Sequence, residues 1–114
     1  MAMEGLVPIN CYPRFDFLIL AMNQLVNHLD KLQIMSDGIF KPKVIIRVAI
    51  GSKKPLNGGV QHTQDYTEIM KKTLTEINVV LLNDPKKIFN EFQKAYRSNH
   101  SSLMIENADF YNDK

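Results

Sequence analysis

Gly58-Gly59-Val60-Gln61-His62-Thr63-Gln64 is the stretch of this chain best equipped for chemistry. An imidazole exchanges protons near neutral pH, and the amides and hydroxyl beside it can orient a bound group by hydrogen bonds. The Gly-Gly pair leaves the backbone free to turn tightly. After a polar loop, the run follows the apolar segment Val44-Ile45-Ile46-Arg47. It is thereby delivered to the end of a buried strand, where open α/β sheets bind their ligands. Other residues with chemical potential are less well placed. Gly51-Ser52-Lys53-Lys54 lacks the glycine and lysine spacing of a phosphate loop. His28 and His100 have no second ligand at metal spacing. The single Cys11 permits no intramolecular disulfide and is expected to be a small buried residue at a strand end.

The elements that must position these residues alternate in type. Pro8 to Tyr12 reads as a short strand, with Pro8 near its start. Leu18, Met22, Leu25, Leu29 and Leu32 follow at alternating spacings of four and three, which predicts a helix of about five turns over 15–34. Asp16 is its expected N-cap, and Ser36-Asp37-Gly38 ends it, with glycine in the left-handed cap position. Phe15, Ile19 and Val26 widen the apolar arc beyond one face, so burial on two sides is expected, against the sheet and against a partner. The β-branched run 44–50 and Val79-Val80-Leu81-Leu82 read as strands covered on both faces. Between them a short helix is expected over 64–73. Asp84-Pro85 starts another, with Ile88, Phe89, Phe92, Ala95 and Tyr96 on its inner face. Residues 102–106 form a fourth strand, and the polar tail 107–114 is free to be loose. Alternation with linkers too long for hairpins predicts an α/β fold, a parallel sheet with helices on both faces.

Composition agrees with one small domain over 1–114. Apolar residues at 45% and charged residues at 23% suit a packed globular unit rather than a disordered tail. The net charge of +2 comes from lysines scattered in pairs, not from the clustered basic face that nucleic acid requires. No apolar run has the length of a membrane span. A lone cysteine fits a reducing compartment, so a cytoplasmic protein is expected, or an organellar-matrix one in a eukaryotic source.

Several segments together resemble a known family. Gly5-Leu6-Val7-Pro8, Phe15-Asp16-Phe17, Ala21-Met22-Asn23-Gln24-Leu25-Val26-Asn27 and Met35-Ser36-Asp37-Gly38 look like the beta subunit of the 2-oxoacid dehydrogenases, of pyruvate and branched-chain types. Val44-Ile45-Ile46-Arg47, Gln61-His62-Thr63-Gln64 and Ile105-Glu106-Asn107 continue the pattern in the same order. The resemblance runs from about Met3 to Tyr111 and implies the transketolase-like, pyrimidine-binding type of thiamine-diphosphate domain, here truncated. In that family the domain holds the aminopyrimidine ring at a subunit interface, while an alpha-type partner binds the diphosphate through magnesium. By position, Phe17 matches the aromatic residue that stacks on the pyrimidine, and His62 matches an active-site histidine near substrate and acyl acceptor. The physics suits both: an aromatic face packs on a flat ring, and the cofactor does the hard chemistry while the protein orients it.

The departures are equally informative. The family's activating glutamate belongs to a region upstream of these motifs, and Glu4 stands too near the first strand to replace it. Pro13 occupies a position that is often apolar in the family, and the loop 50–57 is longer and richer in lysine. The expectation is therefore a partial domain, an excerpt or truncated product, that decarboxylates a 2-oxoacid only when completed by missing segments and a partner. Alone it should be inactive and bind no thiamine diphosphate tightly. Self-association through the helix 15–34 is also expected. A non-catalytic interaction module that keeps the fold is the alternative, and a flavodoxin-like domain binding another small ligand is a third reading.

Overall fold

The structure, a computed structural model, describes residues 1–53 and 57–111. Lys54 of the Gly-Ser-Lys-Lys run and the last three residues of the polar tail lie outside the described residues. Four strands form one sheet: β1 (Ile9–Tyr12), β2 (Ile45–Ile50), β3 (Asn78–Leu82) and β4 (Ser102–Asn107). All pairings are parallel, and the order across the sheet is β1-β2-β4-β3. Ile45 sits level with Ile9 on one side and Ser102 on the other, which aligns the carboxyl ends of β1, β2 and β4 along one edge.

Helices cover both faces, but unequally. On the first face Ile46, Val48, Ile50, Leu103 and Ile105 pack against Phe15, Leu18, Leu25, Met70 and Leu74. Phe15, Met70, Leu103 and Ile105 are fully buried there, each such side chain contributing about 2 kcal/mol by its removal from water. The second face carries Ile45, Met104, Leu82 and Val80 beneath Ala95 and Phe92 of α4 (Ile88–Arg97). That helix touches the sheet with a narrower stripe than the sequence suggested. Of the five residues expected on its inner face, Ala95 is buried and Phe92 is half-buried, whereas Ile88, Phe89 and Tyr96 are exposed at 36%, 70% and 61%. Cys11, expected to be buried, is exposed on β1, which is an edge strand, with the Arg47 side chain 3.9 Å from its sulfur.

The long helical segment also differs from a uniform α-helix. It begins as α1 (Phe15–Leu18), tightens to a 3-10 turn over Ile19–Ala21, widens to a π-helix over Gln24–Leu29, and ends as α2 (Leu32–Met35). The changing pitch brings Phe15, Leu18 and Leu25 onto the sheet, and mid-helix departures of this kind mark altered helix geometry rather than a chain break. Its end is as expected: Asp37 and Gly38 take positive φ of 49° and 75°, and the Gly38 N–H donates to the Gln33 carbonyl at 2.8 Å. Asp84 caps the next helix start as the sequence predicts, accepting from the Lys86 N–H at 3.1 Å with Pro85 behind it.

One buried charge ties these layers together. Asp30, fully buried, accepts from the backbone N–H groups of Thr75, Glu76 and Ile77 at 2.9–3.1 Å, and from the Thr75 hydroxyl and the Lys31 ammonium. These residues lead into β3, so the carboxylate pins the helical segment to that strand's entry. Burial alone would raise its pKa, but Lys31 and the three N–H groups outweigh that and hold it below the ordinary carboxylate value. Residues 107–111 of the tail are also more ordered than expected: Asn107 caps a 3-10 turn over Ala108–Phe110, and the Tyr111 hydroxyl donates to Glu106 at 2.7 Å.

Candidate functional site at the carboxyl edge of the sheet

β1 ends at Tyr12, and the chain turns at once into α1. Inward packing of Phe15 and Leu18 leaves Phe17 between them facing outward, 40% exposed. An ordinary core role for Phe17 is thereby ruled out. The β2 carboxyl end feeds the loop whose described part, 57–66, closes over the same corner. Its turn depends on the two glycines. Gly59 has φ of +77°, and a Cβ on Gly58 would lie 2.9 Å from the His62 Cβ. The Asn57 side chain accepts from the Gly59 N–H, and the Gly59 carbonyl takes the His62 N–H at 3.1 Å and the Thr63 hydroxyl at 3.0 Å. His62 is thus presented by a tight turn with little freedom behind its Cβ.

The structure brings together the two residues singled out from the sequence. The rings of Phe17 and His62 lie 5.3 Å apart, centroid to centroid, at an interplanar angle of 34°. Phe17 keeps part of its surface open to solvent, so this contact does not consume it. Two further residues join them that the sequence assigned elsewhere. Asp16, expected as the N-cap, lies in the first turn of α1, while Arg14 holds the cap position without a capping side-chain bond. Gln64, expected at a helix start, precedes α3 (Thr67–Thr73) and donates to Asp16 Oδ1 at 2.9 Å. Helix α3 starts later because Asp65 accepts from the Thr67 N–H and hydroxyl. Arg14 itself donates to the Gly51 carbonyl, joining the end of β1 to the end of β2.

Among the described residues, two buried side-chain polar atoms have no hydrogen-bond partner: Asp16 Oδ2 and His62 Nδ1. Both belong to this corner. Buried polar groups are almost always satisfied, so a pair of orphans beside a half-exposed aromatic ring marks a place able to receive a further group.

The remaining polar residues lie apart. Glu106 faces the second side of the sheet, where Arg47 grips it through Nε at 2.5 Å and Nη2 at 3.0 Å. The Glu106 bond raises the Arg47 pKa, and burial, then Glu106, pushes the Tyr111 phenol up to about 12. A carboxylate held this firmly is structural. Glu4 is exposed and lies 3.6 Å from the chain's amino group. His28 lies 3.4 Å from Asn23 and His100 lies 3.8 Å from Glu76, and no cluster of metal-ligating side chains occurs among the described residues. No helix among them is long and apolar enough to cross a membrane.

The architecture is therefore that of a parallel α/β domain whose candidate ligand-binding corner lies at the carboxyl ends of β1 and β2. Its relatives are more specific. The chain is 31% identical over 113 residues to the chloroplastic pyruvate dehydrogenase E1 component subunit beta-3 of Oryza sativa subsp. japonica, matching 99% of this chain and 28% of that protein. It is 31% identical to the corresponding beta-3 subunit of Arabidopsis thaliana, across 99% of this chain and 27% of that one. Against the beta subunit of Gracilaria tenuistipitata var. liui the identity is 29%, across 99% of this chain and 34% of the relative. No family model matches the chain. The chain is thus a partial homologue of pyruvate dehydrogenase E1 beta subunits, spanning about a third or less of their length.

Proposed function

We propose that this chain is the pyrimidine-facing part of a thiamine-diphosphate-dependent 2-oxoacid dehydrogenase of beta-subunit type, functioning in oxidative decarboxylation when joined to the rest of that subunit and to an alpha-type partner. The observation that carries the reading is the pairing of Phe17 with His62, two residues distant in sequence and each matched to a family role, at one sheet edge. The half-exposed Phe17 ring offers a face for a flat heteroaromatic ring. Asp16 and His62 stand at the same corner, with buried Oδ2 and Nδ1 atoms that no side chain among the described residues fills. The residues present therefore fit one wall of a pyrimidine pocket. The described carboxylates include no free strand-end glutamate to serve the ring nitrogen, since Glu106 is committed to Arg47 and Tyr111. When bound, the cofactor would supply the electron sink for loss of carbon dioxide from the 2-oxoacid. Phe17 would hold the ring, and His62 would carry a proton at the substrate side of the pocket. The diphosphate and its magnesium belong to the partner in this reading, so the isolated chain binds the whole cofactor weakly.

The test is a chimera in which this chain replaces the matching segment of a chloroplast-type beta subunit, co-expressed with the alpha subunit. Cofactor-dependent pyruvate decarboxylation that falls at least tenfold in the His62→Ala chimera is the expected result, proton-transfer groups contributing about 10²–10⁴-fold. A folded chimera that assembles yet shows no turnover sinks the reading.

A second reading has its own support. Leu20, Ile34 and Met35 of the helical segment are exposed at 86%, 57% and 72%. That outward apolar surface suits self-association or docking without catalysis. Sedimentation of the isolated chain tests this surface, since a self-associating chain forms a dimer that Leu20→Glu dissolves; turnover in the chimera separates the two readings.

A further inference from the structure

The two orphaned atoms of the corner have complementary chemistry. A carboxylate oxygen only accepts, and a ring nitrogen of neutral imidazole donates when it carries the proton. Leaving such groups buried and unpaired is costly, so the corner gains by joining them. The surrounding bonds already arrange this. Gln64 occupies Asp16 Oδ1 from one side, leaving Oδ2 as the unfilled acceptor. Gln64 lies two positions beyond His62, and Phe17, beside Asp16, packs on the imidazole. Asp16 and His62 are therefore linked twice, through the Gln64 bond and through the ring contact. Gly58 backs the His62 Cβ and confines adjustment to rotation of the ring.

We propose that Asp16 is the positioning residue of His62: Oδ2 accepts the Nδ1–H, directly or through one water, and fixes the tautomer that leaves Nε2 as the free acceptor at the sheet edge. A carboxylate that orients an imidazole in this way determines which nitrogen meets a substrate. The role of His62 in turnover rests on the function proposed above, but the pairing is a property of the chain itself and is read without turnover.

Long-range proton–nitrogen NMR of the 15N-labelled chain, at a pH where the ring is neutral, reads the tautomer directly. In the unmodified chain His62 is expected with Nδ1 protonated and Nε2 bare. In Asp16→Ala the ratio of Nδ1–H to Nε2–H forms should fall at least tenfold. A role for Asp16 in helix packing alone would change the melting temperature and leave that ratio where it was, which would overturn the proposal. An Nε2–H ring in the unmodified chain overturns it too, and that reading stands even if Asp16→Ala does not fold. An inactive chimera with the Nδ1–H tautomer intact would sink the proposed function and leave the pairing standing.

Discussion

Asp16 and Asp30 sit near opposite ends of one helical segment, and their surroundings could hardly differ more. At the strands' amino-terminal edge, Asp30 is saturated by three backbone N–H groups, a hydroxyl and an ammonium. At the carboxyl edge, Asp16 accepts one amide through Oδ1 while its buried Oδ2 has no partner among the described residues, and the buried Nδ1 of His62 has none either. Hydrogen bonding that is complete rigidifies, whereas hydrogen bonding left open stores the capacity to bind. The same residue type on the same element serves as an anchor in one place and as a receptive group in the other.

The contrast is best broken at its strong end. Asp30→Ala should destabilise the chain by about 3 kcal/mol, since it leaves the buried Ile77 N–H and the part-buried Thr75 and Glu76 N–H groups without their acceptor; urea unfolding of both forms measures it. A loss below about 1 kcal/mol would mean that water replaces the carboxylate and no anchor exists. The pH response has a definite sign. The folded Asp30 pKa lies below its unfolded value, so its contribution is fully present above the unfolded value and vanishes as pH falls through the folded one. Acid titration of stability below about pH 4 should therefore be steeper in the unmodified chain than in Asp30→Ala.

Gly58→Ala tests the weak end by crowding it. The new Cβ would meet the His62 Cβ, which cannot move without the turn. A stability loss of about 1–2 kcal/mol is expected, together with loss of the Phe17 ring-current shift on His62 protons. Retention of that shift would show the corner to be more pliant than its geometry implies. The smallest effect belongs to His62→Ala itself. His62 is half-buried on a loop, so stability should change by less than about 1 kcal/mol. A loss as large as that of Asp30→Ala would return His62 to the role of a core residue and erase the comparison.

Much of the scaffold was legible in the chain. The β-branched run at 44–50 is the doubly covered strand its composition predicts, and Gly58-Gly59 announced the turn that carries His62. The run 79–82 is a strand too, but an edge one that is only half-buried over 79–81, because no strand lies beyond it among the described residues. Local chemistry sufficed for Asp84-Pro85, because cap and helix are neighbours. The departures share a cause: partners distant in sequence. Asp16 looks like a cap from its position, but its actual partner is Gln64 across the loop. Asp30 looks like a surface acid on a helix because the backbone N–H groups of 75–77 leave no trace in side-chain pattern. The 3-10 and π turns of 15–35 are likewise set by the sheet beneath them. Phe17 and His62 were picked out separately through family resemblance, and only the fold makes them neighbours.

The strand order has a consequence for how this chain is made. β4 follows β1, β2 and β3 along the chain, yet it lies between β2 and β3 and holds both. A ribosome therefore releases two strands with open edges and no partner between them until residues 102–107 emerge. During that interval the nascent chain presents its most apolar backbone to any extended segment nearby. The sheet closes like a gap filled by its final piece, so cooperative folding of this sheet must await residues 102–107.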